Sequence, residues 1–274
     1  MAAAKKWSTI LFKKASVTYY TASLFFPKQS REAVLILYAF VRTADDFVDT
    51  QPQDAAGYYA FVTEYRHVLY EQKRSDNQII AEFIFLQRKF QFKQVWIDAF
   101  LKAMELDLYK HRYTTLHELE RYMYGSAEVI GLMLCRIFDV SEKLYPAARM
   151  LGKTMQYINF LRDVAEDYGM GRQYLPSEIC DAYGVYSLQK PKDSVEKDCF
   201  NRLLTQELGR YMLWSKKASY GIAQLPKQYR APVRTAAQMY DWTAGRILQN
   251  PMIVWQKKVK PHPLRVILQA LRLR

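Results

Sequence analysis

Two acidic clusters built on the same four-residue step hold the chemistry open to this chain. The first is Asp45-Asp46-Phe47-Val48-Asp49 and the second is Asp163-Val164-Ala165-Glu166-Asp167. On a helix, Asp45/Asp49 and Asp163/Asp167 are i,i+4 pairs with Cβ atoms about 5–6 Å apart on one face. Like charges that close raise each other's pKa unless a cation holds them. Mg²⁺ suits such pairs, since it takes one or two carboxylates and leaves its other positions to water and phosphate oxygens. An isolated acid pair at helical spacing usually lies on a solvated face. Both pairs here adjoin apolar stretches, Leu35-Ile36-Leu37-Tyr38-Ala39-Phe40-Val41 and Tyr157-Ile158-Asn159-Phe160-Leu161, where an unpartnered charge is costly to bury. Two pairs on two helices would then frame a metal-bridged diphosphate site.

Each pair is flanked by groups that such a site needs. Tyr38, Arg42, Asp45 and Asp49 follow at steps of four, three and four, all on one helix face. Asn159, Asp163 and Asp167 step by four, with Gln156 one turn earlier and Arg162 beside them. Metal ions and arginines would take up the negative charge that develops as a diphosphate leaves. Taken alone, Arg42 reads as a solvated residue or as an ion-pair partner for Asp46 or Asp49.

The elements that must position these groups are helical. Strand-type alternation bounded by turn signals is hard to find, and helical periodicity predicts helices over 31–50, 55–74, 77–90, 93–110, 116–138, 144–168, 194–223 and 228–250. Ser30 and Thr115 are candidate caps, Pro146 suits a first turn, and Gly169-Met170-Gly171 ends the helix bearing the second cluster. Residues 172–191 read as a loop with one short helix. An all-α bundle around a central apolar cavity follows. Gly125 and Gly131 fall inside a predicted helix, and each costs about 1 kcal/mol relative to alanine. Either helices pack closely there, or small residues such as Ala127 and Gly131 keep a wall open for a long ligand.

The chain has 274 residues, half of them hydrophobic and 15% aromatic, ample for a core. The absence of an obvious linker favours one domain over 1–274, with a motif-bearing core at about 16–250 and a tail at about 251–274. Cys135, Cys180 and Cys199 lack metal or disulfide spacing, which fits a reducing compartment, and the four histidines show no ligand pattern. The net charge of +13 calls for an anionic partner: nucleic acid, membrane surface or diphosphate. Nucleic-acid motifs are missing, so none is expected as partner. Without a signal peptide or about 18 consecutive apolar residues, the expected location is cytoplasmic, in part peripheral to a membrane. In the tail, Leu264, Ile267, Leu268 and Leu271 share a helical face beside Arg265, Arg272 and Arg274. Such a segment either lies on anionic lipid or packs back onto the bundle.

Longer runs carry a family resemblance. Ser16-Val17-Thr18-Tyr19-Tyr20, Phe26-Pro27, Arg31 and Leu37 through Asp49 resemble the opening of a squalene/phytoene synthase. The likeness continues through Tyr122-Met123-Tyr124-Gly125-Ser126-Ala127-Glu128-Val129-Ile130-Gly131. It is strongest over Gln156 to Asp167 followed by Gly171-Arg172-Gln173-Tyr174-Leu175-Pro176. The resemblance implies a class I isoprenoid synthase-like bundle, most like bacterial or archaeal phytoene synthases. It would join two geranylgeranyl diphosphates head to head through a cyclopropyl diphosphate, with Mg²⁺ or Mn²⁺ and without a nicotinamide. By position it makes Asp45, Asp49, Asn159, Asp163 and Asp167 metal-site residues, and Tyr38, Arg42, Gln156 and Arg162 substrate-binding residues. Tyr122 and Tyr240 would face the reacting carbons. A basic position late in the chain falls to Lys257 or Lys258, and one near Ser16 to Lys13 or Lys14. Small Ala127 and Gly131 would admit a long chain, and bulky Phe25, Phe26 and Met133 would limit it. Squalene or dehydrosqualene synthesis from farnesyl diphosphate is the rival activity, and an inactive assembly factor the non-enzymatic one. A monomer or weak dimer is expected.

Overall fold

The computed structural model describes residues 21, 23–71 and 74–273. Lys13, Lys14 and the run from Ser16 to Tyr20 lie outside them. Among the described residues the architecture is helical, with no strand beyond an isolated bridge between Arg112 and Gln173. The helices are α1 (Lys28–Asp49), α2 (Ala55–Tyr70), α3 (Gln78–Phe90), α4 (Gln94–Leu106), α5 (Leu116–Met123) and α6 (Val129–Ile137). They continue as α7 (Tyr145–Arg162), α8 (Val164–Gly169), α9 (Ser177–Ala182), α10 (Ser194–Gln224), α11 (Lys227–Gln249) and α12 (Pro263–Arg272).

Local signals explain most of the boundaries. Asn77 caps α3 by accepting from the Ile79 and Ile80 amides, Thr115 caps α5 through Glu118 N, and Asp193 caps α10 through Glu196 N. Such caps satisfy amides that have no partner inside the helix. Pro146 occupies the first turn of α7, as expected. Ser30 does not cap α1: the helix begins earlier, at Lys28, and Ser30 is buried within it against the Tyr229 hydroxyl at 2.9 Å.

Two predicted helices are interrupted. The run over 116–138 contains a π-helical turn at Tyr124–Glu128 between α5 and α6, a rare wide turn found frequently at functional sites. The run over 144–168 breaks at Asp163, which closes α7 and opens α8. The helix predicted to reach 110 ends at Leu106, with Asp107 as its C-cap.

α7 runs through the middle, packed against α10, α6, α11 and the π turn. One apolar cluster fills the bundle from Phe40, Phe83 and Phe100 to Tyr157, Leu203 and Ile247. Of the two interior glycines, Gly125 serves packing: a Cβ there would lie 2.3 Å from the Ala99 carbonyl oxygen on α4. Gly131 combines both roles foreseen for it, because its Cβ would lie 2.6 Å from the Ala148 oxygen and the residue also lines an internal cavity.

Gly125→Ala is expected to cost about 1–3 kcal/mol through overpacking against backbone. Gly245→Ala in α11, where an added Cβ meets nothing within 4 Å, should gain about 0.5–1 kcal/mol. Urea denaturation midpoints compare the two, and equal midpoints would rule out the close approach at Gly125.

Candidate active site

α1 presents Tyr38, Arg42, Asp45 and Asp49 to a cavity of about 850 Å³. α7, the Asp163 junction and α8 supply Gln156, Asn159, Arg162, Asp163, Glu166 and Asp167 to the same cavity; Tyr122 comes from α5 and Tyr240 from α11. All eleven residues singled out from the sequence therefore line one space. Tyr38, Val41, Ser126, Gln156, Asn159 and Tyr240 also line a second, apolar cavity of about 310 Å³. The charged vestibule thus continues into an apolar tunnel. Phe26 stands on that tunnel wall with Ala127 and Gly131, whereas Phe25 and Met133 are not among its lining residues.

Arg172, which sequence reasoning gave no role of its own, joins the two acidic clusters. Gly171 adopts φ +73° after α8, a conformation open to glycine because it lacks a Cβ, and the chain turns back. The Arg172 amide then donates to the Asp167 carbonyl at 2.8 Å, while its guanidinium donates to Asp49 Oδ1 at 2.7 Å and to the Val48 carbonyl. Asp107 was also missed, because no second carboxylate stands three or four residues from it to mark a helical pair. Its carboxylate accepts from the Tyr122 hydroxyl at 2.6 Å and the Tyr174 hydroxyl at 2.9 Å. These bonds fix the tyrosines in an aromatic wall in which Tyr174 stacks on Phe160 with ring centroids 4.3 Å apart.

The cations of the site sit on its acids. Arg42 reaches Asp45 at 2.7 Å and also Asp46, where the sequence had offered Asp46 or Asp49. Arg162 grips Asp163 with two bonds. Of the two late lysines, Lys258 lines the cavity and contacts Asp163 at 3.6 Å as well as Glu166; Lys257 is exposed and not part of the lining, while Lys260 is.

The donor chemistry fits divalent ions with oxygen ligands. No cluster of three or more acids or imidazoles closes around a single point among the described residues. Three buried polar atoms around the vestibule also find no partner among the described residues: Arg42 Nε, Ser126 Oγ and Asn159 Oδ1. A buried donor or acceptor left so is costly, and a polar ligand would satisfy them. Burial and then the Asp163 charge push the Asp167 carboxyl up to about 8. Burial and then Asp49 push Asp45 well above the carboxylate range despite Arg42. Burial raises Asp107 to about 6 against the pull of Tyr122, Arg172 and Tyr174.

An all-α bundle in which acid-bearing helices face each other across a charged vestibule, with an apolar tunnel behind, has the isoprenoid synthase-like fold. The squalene/phytoene synthase family model matches residues 12–265, and the chain belongs to that family, whose members are prenyltransferases. The 15-cis-phytoene synthase of Paracoccus sp. is 27% identical over 261 residues, covering 92% of this chain and 84% of the relative. That of Synechocystis sp. is 28% identical over 267 residues, covering 91% and 78%. A ligand-bound dehydrosqualene synthase superposes with a TM-score of 0.83 at 23% identity, over 99% of this chain and 95% of that one. A squalene synthase from Alicyclobacillus acidocaldarius gives 0.77 at 18% identity, over 90% and 94%. At those identities the structural likeness speaks for the fold.

A carboxyl whose pKa is raised by folding holds a proton that the unfolded chain gives up from about pH 4. The contribution of Asp45, Asp107 and Asp167 is therefore fully present below that pH and is lost as the pH climbs toward about 8. Melting temperature measured in chelator should fall between about pH 5 and about pH 8, and Mg²⁺ should restore it most at the alkaline end. A melting temperature that rises over that range would contradict these environments.

Proposed function

We propose that the chain condenses two geranylgeranyl diphosphates head to head into phytoene, a step of carotenoid synthesis. The observation that carries this reading is the continuity of the charged vestibule with the apolar tunnel, bordered by Tyr38, Gln156, Asn159 and Tyr240. The C20 substrate is supported by the relatives named 15-cis-phytoene synthase.

Asp45, Asp49, Asn159, Asp163 and Asp167 would hold Mg²⁺, which when bound neutralises diphosphate and assists its departure. Arg42, Arg162 and Lys258 would exchange their carboxylate partners for diphosphate oxygens and stabilise the leaving charge. The allylic C–O bond breaks, and the double bond of the second substrate attacks the cation. Loss of a proton then gives a cyclopropyl diphosphate; a second C–O cleavage, rearrangement and proton loss complete the product. Two diphosphates and two protons leave, so no hydride donor is consumed. Tyr122, Phe160, Tyr174 and Tyr240 turn aromatic surface toward this space, where π faces stabilise cations and the apolar wall excludes water. The small residues Ala127, Gly131, Ala147 and Ala148 along the tunnel leave room for a long prenyl chain. Farnesyl-based condensation by the same chemistry is the second reading, since a charged vestibule that opens on an apolar cavity suits either prenyl length.

Asp45→Asn and Asp163→Asn should each lower turnover by about two to three orders of magnitude, the scale of losing one preorganised charge-stabilising group. Circular dichroism should stay helical. Near wild-type turnover at saturating Mg²⁺ in either variant would refute the two-cluster site. Offered farnesyl and geranylgeranyl diphosphate in competition, with and without NADPH, the enzyme should yield mainly a C40 hydrocarbon in both cases. Predominant squalene or dehydrosqualene would replace the C20 reading by the C15 one.

A further inference from the structure

The last described helix packs with one face and leaves its more apolar face in solvent. Val266 and Ala270 of α12 are buried, with Val266 seated on Ala236 and Met239 of α11 and on Met155 of α7. Gln269 donates to Gln238 at 2.6 Å, and the Arg265 guanidinium lies 5.1 Å from the centre of the Trp242 ring. The helix is thus fixed in orientation on the bundle. Leu264, Leu268 and Leu271 remain 62%, 59% and 55% exposed, and Ile267 is 37% exposed. At about 100° per residue these four fall within roughly 100° of arc, and Arg265 and Arg272 flank one edge of that stripe. The packing alternative raised by the sequence therefore uses a different face from the leucine stripe.

The position of α12 adds a second observation. Pro261, His262 and Pro263, which lead into the helix, line the vestibule together with Lys258 and Lys260. The His262 ring accepts from the Leu264 amide at 3.3 Å and so joins the vestibule rim to the first turn of the stripe. Rim and stripe form one continuous basic and apolar border.

We propose that this border is a docking surface for an anionic lipid bilayer: the α12 stripe sinks into the interface and the vestibule opens beside it. Charge complementarity selects this occupant. The chain carries a net charge of +13, the stripe is edged by arginines, and Lys257 and Lys260 are exposed nearby. A helix with an apolar stripe and basic flanks lies in the plane of a membrane and favours anionic headgroups. Four residues on one helix are too little for the core of a dimer interface, which takes about 800 Å² per partner and excludes charge from its centre. No described helix is long and apolar enough to cross a membrane, so the contact is peripheral. The inference stands apart from the identity of the prenyl chain.

Co-sedimentation of the full chain with vesicles, in the absence of substrate, tests it. Wild type should bind phosphatidylcholine/phosphatidylglycerol vesicles, bind pure phosphatidylcholine poorly, and weaken as salt rises. Leu268→Glu combined with Leu271→Glu should lower partitioning by at least about tenfold. The melting temperature and the turnover of detergent-dispersed substrate should be unchanged in that variant. Arg272→Gln should reduce the preference for the anionic lipid. Equal vesicle binding by the double variant, or none by wild type, overturns the proposal. So does a wild-type dimer in sedimentation velocity that the double variant abolishes while vesicles are ignored, since the stripe would then meet a second copy.

Discussion

The geometry of the site depends on one buried guanidinium. Arg172 is nearly inaccessible, 4% exposed, and a charge so placed is tolerated only when its donors are matched by well-aimed acceptors. Its acceptors are the Asp49 carboxylate and the Val48 carbonyl on α1, while its own amide is anchored on Asp167. Gln53 reinforces the joint by donating to the Val48 carbonyl at 2.7 Å and the Asp107 carbonyl at 2.8 Å. Remove this joint and the segment after α8 loses its charge-assisted bonds to α1, and apolar packing, which is non-directional, is a poorer guide. A site that holds ions between helices needs its ligands fixed far more tightly than that.

A second constraint is charge neutrality. Carboxylates on two helix segments face one space, and Arg42, Arg162, Lys258 and Arg172 each engage at least one of them. The arrangement keeps a strongly acidic pocket tolerable within the fold. On the proposed reading, three of the groups that steady the resting site, Arg42, Arg162 and Lys258, are those that would receive a diphosphate.

The helices and most of the candidate site residues were legible because both follow from a period, while Tyr122 and Tyr240 came from the family resemblance alone. Tyr38, Arg42, Asp45 and Asp49 repeat at helical steps, and the regular periodicity around them located the elements. What lacked a period was hidden. Asp107 and Arg172 act through long-range bonds whose partners lie far away in sequence, such as Arg172 with Asp49. The choice of Lys258 over Lys257 depends on how the segment after α11 crosses the vestibule rim. The break at Asp163 was invisible because the Asp167 amide still bonds the Asp163 carbonyl at 2.8 Å, so helical spacing survives the interruption. The π turn was similarly masked by a helical composition, with only Gly125 to mark it.

The tunnel wall has a mechanical consequence. Part of its lining is Ala127, Gly131, Ala147, Ala148, Gly152 and Ala218, so that stretch of the bore is drawn largely by main chain. Such residues have no rotamers to lose when a ligand enters, and at Gly131 and Gly152 a Cβ would come within 2.6 and 2.5 Å of a facing carbonyl oxygen. That stretch of wall behaves as a fixed gauge. A flexible polyprenyl chain entering it gives up its own disorder while this part of the wall gives up almost none. A single added methyl group narrows such a stretch, whereas the bulky Phe26 and Phe138 on the same bore are where truncation would widen it.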